Sequence, residues 1–378
     1  MPSSSRNPIP EQLDDAAIPA TNERAEASER AGRLRGRLSH PLVRYLTIRV
    51  AVSLLLVLGV TLVTFVLTNL VPASPITAAL GERASDDPKI VEAFTKAQGL
   101  DKPKVVQYAI YVGHLAQGNL GTSIQTHNPV AKDLGVAFPA TAELALFVIV
   151  LSIVFGLGLG LLAALRHNRF TDQLIRVVSL IGISVPTFWL AVAIYFLFFF
   201  KLHWAPGAGR LDPAMTPPPR VTGMYTVDAL AAGQYPVFVD AVRHLVLPGL
   251  VLTLFTTGLL VRFSRSAILD VLNQDYVRAA RAKGLPMRQV VLRYVLRGSL
   301  TPILTVVGLA FGSLLSGTVL TEQVFSWGGI GQYAFRASTA LDLPAVMGVG
   351  LIVGVIYIAT NLVIDVVYGL VDPRVRVG

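Results

Sequence analysis

The sequence contains no cysteine, which excludes a disulfide framework, a thiolate metal site and a cysteine nucleophile. Its six histidines, at 40, 114, 127, 167, 203 and 244, form no i, i+4 pair and no HExxH spacing, so a metal centre has no support. GxxxxGK[ST] occurs nowhere, so the chain has no phosphate-binding loop of its own. Charge is scarce: Asp, Glu, Lys and Arg make up 15% of the 378 residues, against about 25% in a soluble domain. In its place the chain is 53% hydrophobic with a mean hydropathy of +0.60. This is the composition of an integral membrane protein. A membrane enzyme has no site here, since no nucleophile–base pair or metal cluster stands in or beside the apolar stretches.

Those stretches set the organisation. Residues 1–41 are polar, rich in Ser, Pro, Ala, Glu and Arg, and read as a disordered extension. Arg30, Arg33, Arg35 and Arg37 lie just before the membrane, where they set topology or hold anionic lipid headgroups. Within 42–70, Ile48–Leu70 is long enough to span and too long for a signal-peptide core. Residues 71–140 have soluble character and are expected to form an external loop domain. Further spans are expected at 142–165, 175–200, 245–261, 303–320 and 345–370, six in all. Between them lie a tight turn at Arg166–Arg169, an external loop at 202–243, a second external loop at 321–344, and a tail at 371–378. The 202–243 connection holds Pro206, Pro213, Pro217, Pro218 and Pro219, which argues for a loop rather than a helix.

Charge gives the orientation. With the N-terminus inside, the inner segments hold 20 Lys and Arg against 10 acids, and the outer segments 10 against 11. The positive-inside rule then places both termini and the loop 262–297 in the cytoplasm. The net charge of +9 belongs to lipid and a cytoplasmic partner, not to nucleic acid.

The spans themselves are nearly free of ionisable groups. Glu143 lies near the outer end of the second and Asp365 near the inner end of the sixth. An ion-coupled carrier keeps such groups inside its spans for relay or coordination, so intrinsic ion-driven transport is not expected. In the fifth span Thr301, Thr305, Gly308, Gly312 and Ser316 share one face. This stripe either lines a translocation route for varied solutes or packs helix on helix, and packing is the preferred reading. Gly156/Gly160 and Gly350/Gly354 have GxxxG spacing, for which packing is the better account.

One stretch differs from all others. Asp275–Pro302, DYVRAARAKGLPMRQVVLRYVLRGSLTP, carries six positive charges against only Asp275 and is divided at Gly284-Leu285-Pro286. Tyr276, Ala280 and Gly284 fall on one helical face, where small residues would let another protein approach closely. Val290, Val291, Tyr294 and Val295 share a face of the second half, away from Arg288 and Arg297. The element reads as a docking plug on the inner side.

Arg278-Ala279-Ala280, three residues and Gly284 resemble the EAA loop (Glu-Ala-Ala-x3-Gly) of permease subunits in ABC-type importers. Arg278 replaces the generic Glu and Leu296-Arg297 the generic Leu-Pro, as is usual in the dipeptide/oligopeptide/nickel branch. Gly99–Pro103, Gly118–Ser123, Phe325–Gly331 and Asn361–Arg374 are similar to that branch as well, so the likeness runs from about Leu42 to Arg376. The resemblance implies an all-α integral membrane fold of the type I importer permease, in the bacterial cytoplasmic (inner) membrane. It implies that Tyr276, Arg278, Ala279, Ala280, Lys283, Gly284 and Leu285 dock to an ATPase. The implied partners are a second homologous permease, two ATPase subunits or domains carrying ATP and Mg, and an extracytoplasmic binding protein. No cofactor is implied in this chain. The implied cargo is di- or oligopeptides, with nickel or another small solute as the alternative. A non-transporting membrane scaffold is the reading from a different class.

Overall fold

The computed structural model describes residues 41–70, 87–99 and 101–371. The N-terminal extension with its arginine cluster, the stretch 71–86 and the tail from Asp372 lie outside the described residues. The chain divides into a unit Ser53–Asp372 and a second, Met1–Val52 with Pro373–Gly378, of which only the helical segment from Pro41 is described. The account below concerns the first unit.

The fold is all-α. Helix α1 is Pro41–Leu70, followed by a hairpin of α2 (Pro88–Gln98) and α3 (Lys104–Ala116). Helix α4 is Val130–Leu165, α5 Phe170–Ser184, and α6 Thr187–Tyr195, which continues as a π-helical turn to Lys201. Then come α7 (Tyr225–Ala231), α8 (Tyr235–Leu272), α9 (Asp275–Ala282), α10 (Met287–Val290), a π turn (Val291–Val295) and α11 (Leu296–Gly317). The last three are α12 (Val319–Val324), α13 (Ile330–Thr339) and α14 (Leu343–Val371). Among the described residues five helices are long and apolar enough to cross a membrane, and α5 with α6 would make a sixth.

That sixth span is broken. The sequence predicts one run over 175–200, but α5 and α6 meet at an angle of 95° at Val185-Pro186. Pro186 has no N–H to continue the ladder, and its ring drives Val185 out of the helical region, to φ −81°, ψ 126°. The expected loops are also partly helical. α7 and the first turns of α8 fall within 202–243, and α12 and α13 form most of 321–344. Proline is confined to the irregular part of 202–243 and to the first turn of α8, where a missing N–H costs nothing.

Small residues let the long helices approach closely. A Cβ on Gly156 of α4 would stand 2.5 Å from Leu260 of α8, and Gly160 abuts Ser264 one turn on. Ser264 Oγ donates to the Gly156 carbonyl at 3.1 Å. Gly350 and Gly354 of α14 meet Thr64 and Val60 of α1 in the same way. Gly258 of α8 and Gly182 of α5 each face the other helix's backbone, a Cβ falling 2.7 Å from the Ser179 carbonyl and 2.9 Å from that of Leu254. In a bilayer, where lipid tails are as apolar as leucine, such contact supplies the dispersion energy that holds helices together.

Candidate functional site

The basic stretch folds as a short helix held flat against its own chain. α9 buries Val277 and Ala280 in an apolar cluster with Ile268 of α8, Val290, Val295, Ile303 and Ala164. Its end is set by Gly284, whose φ of +78° is open to glycine at little cost and strained for other residues. Pro286 then restarts the chain into α10; of the four residues expected on one face, Val290, Val291 and Val295 are buried, while Tyr294 is exposed.

This packing corrects one docking residue. Ala280, only 4% exposed, is sealed inside its own chain and cannot front a partner. It is small because α9 must lie close to α8. Leu285 is half-buried against the same cluster. Tyr276 is 47% exposed, and Arg278, Ala279, Arg281, Lys283 and Gly284 are also open. The Tyr276 hydroxyl leans over Gly298, where a Cβ would lie 2.5 Å away. Arg278 and Asp275, both exposed, approach to 3.6 Å, a pair worth little in water.

In the stripe of the fifth span the two glycines are turned inward. A Cβ on Gly308 would overlap Ile364 of α14, and one on Gly312 would lie 3.0 Å from Tyr357. These two glycines serve helix packing and do not line an open route. Thr301 is half-buried; Thr305 is exposed, its hydroxyl donating to the Thr301 carbonyl at 3.1 Å. The side chains of Ser316 and Asp365 lie outside the described residues.

At the opposite end, four buried carboxylates that composition left as loop or flank charges tie the connections together. Glu322 of α12 accepts from Thr141 Oγ1 at 2.6 Å and Thr318 Oγ1 at 2.9 Å, and from the Gln332 N–H at 3.0 Å. Burial pushes its pKa up, with these bonds opposing. Thr141 also accepts from the Ile330 N–H, and Trp327 Nε1 donates to the Ala140 carbonyl, both at 2.8 Å, so the turn 325–330 is pinned onto α4. Gly329 is required there, since a Cβ would lie 2.5 Å from both Glu322 oxygens. Glu143 pairs with Arg210 at 2.6 Å and accepts from Thr226, while Arg210 stacks 3.8 Å from the Tyr225 ring. Asp342 accepts from Ser123 Oγ and caps α14. Asp228 of α7 accepts from the N–H groups of Val221, Thr222 and Gly223. Glycines clustered beside a lone acid, Glu322 with Gly328, Gly329 and Gly331, were the one sequence signal that could have marked such a site.

Among the described residues no group of three or more His, Asp or Glu could hold a metal ion. The arrangement offers a basic, open helix at one end, a pinned set of loops at the other, and a pair of close-packed helices between them.

Known proteins resemble this chain in sequence. Residues 156–377 match the family described as the binding-protein-dependent transport system inner membrane component, and residues 42–145 match its N-terminal membrane component. The chain is 46% identical over 324 residues to the probable D,D-dipeptide transport system permease protein DdpB of Escherichia coli K12, covering 86% of this chain and 95% of that one. It is 45% identical over 318 residues to the di/tripeptide transport system permease protein DppB of Pseudomonas aeruginosa UCBPP-PA14, covering 84% and 94%. A chain of the inward-facing MetNI methionine ABC transporter superposes with a TM-score of 0.44 at 15% identity, covering 62% of this chain and 93% of that one. The chain therefore belongs to the family of inner-membrane permease components of binding-protein-dependent ABC importers.

Proposed function

We propose that this permease carries di- or short oligopeptides inward, driven by ATPase subunits that dock on the exposed side of α9. The peptide assignment rests on the named cargo of the relatives at 45–46% identity, which favours it over nickel. The driving mechanism rests on the two-sidedness of α9. Its inner face is fused to α8 through Val277 and Ala280, while Tyr276, Arg278, Ala279, Lys283 and Gly284 stay open. A partner that moves this surface moves the ends of the spans with it.

The partners in this reading are two ATPase subunits, which bring ATP and Mg, a second permease, and a binding protein on the far side. The chain itself hydrolyses nothing. The excess of positive charge on the α9 side puts both termini in the cytoplasm. The pinned loops of α7, α12 and α13 then face the binding protein, and rotation of the coupling element opens the route alternately to each side.

The test is co-purification from detergent with and without Ala279→Glu and Lys283→Glu, both at exposed positions. ATPase subunits should accompany the unmodified chain, with peptide-stimulated hydrolysis, and be lost in both variants. Absence of an ATPase with the unmodified chain would leave the scaffold reading in its place.

A further inference from the structure

The hairpin after α1 has soluble composition, yet α3 lies alongside the apolar part of α1. The apolar run of α1 extends over Thr47–Leu67. The Tyr108 hydroxyl lies 2.9 Å from Thr61 Oγ1 and donates to the Leu58 carbonyl at 3.1 Å, both well inside that run. The Phe65 ring is flanked by Tyr108 at 5.5 Å and Tyr111 at 6.1 Å. Lys104, at the start of α3, reaches Asn69 Oδ1 at 2.7 Å, beyond the end of the run. A lysine at the polar edge with two tyrosine rings against Phe65, just inside the run, is the order found at a membrane–water interface, although the Tyr108 hydroxyl reaches deeper, to Leu58.

With Tyr108 and Tyr111 turned to α1, a second face of α3 is largely open among the described residues. Val105, Ala109, Val112 and Ala116 recur at i, i+4, i+7 and i+11. Val105 is 80% exposed, Ala109 and Ala116 are exposed too, and Val112 is half-buried. α1 carries an apolar surface of its own, where Leu58, Leu62 and Val66 stand about half exposed. His114 projects from the side of α3 opposite the stripe.

We propose that α3 is an interfacial helix whose Val105–Ala109–Val112–Ala116 face is covered by the acyl chains of the adjacent leaflet. It would then tether the hairpin to the bilayer surface and fix its height beside α1. The inference rests on α1 spanning the membrane.

Because the chain is free of cysteine, single cysteines can be placed at will. Spin labels at Val105→Cys, Ala109→Cys, His114→Cys and Leu62→Cys would be read in the full complex reconstituted into phosphatidylethanolamine–phosphatidylglycerol vesicles. Collision with oxygen reports lipid, and collision with a water-soluble nickel chelate reports water. Labels at 105 and 109 should match the oxygen-rich ratio at 62, with the ratio inverted at 114. A nickel-rich ratio at 105 and 109, or protection from both reagents by a protein partner, overturns the proposal. A nickel-rich ratio at 62 would instead overturn the spanning assignment of α1. As an independent measurement, emission from Val105→Trp should be quenched by brominated acyl chains, and an unquenched signal counts equally against the proposal.

Discussion

Arg265 of α8 grips the carboxylate of Asp172 of α5 through two hydrogen bonds of 2.7 Å, and Asp172 is fully buried. The Asn168 N–H donates to the same carboxylate at 2.9 Å. Arg265 lies one turn before Ile268, which packs with Val277 and Ala280 of α9. The bent α5–α6 pair is thus clamped to the helix that α9 rests on.

Breaking one side of that clamp leaves an unpaired buried charge, a loss of about 3–5 kcal/mol in comparable pairs. Asp172→Asn and Arg265→Met should each lower the thermal unfolding midpoint of the purified chain. Their combination should cost less than the sum of the two, a coupling that a double-mutant cycle measures. Additive losses would mean that the pair does not act as one.

Neighbouring alanines on α9 should behave oppositely. Ala280→Glu forces a carboxylate into an apolar cluster and should abolish accumulation of folded protein in the membrane. Ala279→Glu should leave folding intact, since the position is open. Size-exclusion chromatography in detergent separates the two, and equal behaviour would contradict the orientation of the helix.

Gly308 tests the packing of α11 on α14. Gly308→Ala should destabilise the chain because a methyl meets Ile364, and Ile364→Ala should restore part of the loss by opening space. Thr305→Val, at an exposed site, should leave stability within about 0.5 kcal/mol. The unfolding midpoints of the three variants decide the matter.

Asp228 gives a pH dependence. Burial pushes its pKa up from 3.8, but hydrogen bonds from Thr222, Gly223 and Val221 outweigh this and the net shift is downward. The folded state therefore takes up the proton less readily than the unfolded one. Its stabilisation is present above the ordinary carboxylate value and is lost as pH falls through the lowered folded value. Limited proteolysis of the 202–234 region should accelerate on acidification in that range. Asp228→Asn should be cleaved faster at neutral pH and show less further change.

Gly284 sits at φ +78° with no atom within 4 Å of an added Cβ. Gly284→Ala should therefore cost only the backbone strain, about 1 kcal/mol. Denaturation of the purified variant checks this, and a far larger loss would point to contacts that the open position does not show.

Membrane class, the apolar runs, the close-packing glycine pairs and the position of the basic stretch were all legible in the sequence alone. Each is a local property: hydropathy adds up over neighbouring residues, and GxxxG spacing puts two small residues on one face whatever they meet. What composition could not supply was direction and partnership. The run 175–200 is apolar throughout, so hydropathy passes through a bend that Val185-Pro186 imposes on the backbone. Tyr276, Ala280 and Gly284 share a helical face, but only the position of α8 decides that Ala280 is sealed and Tyr276 is not. The buried acids depend on donors far away in the chain: Arg210 lies 67 residues from Glu143, Thr141 lies 181 from Glu322, and Ser123 lies 219 from Asp342. A carboxylate is costly to bury until those donors converge on it, and their convergence is a property of the tertiary fold alone.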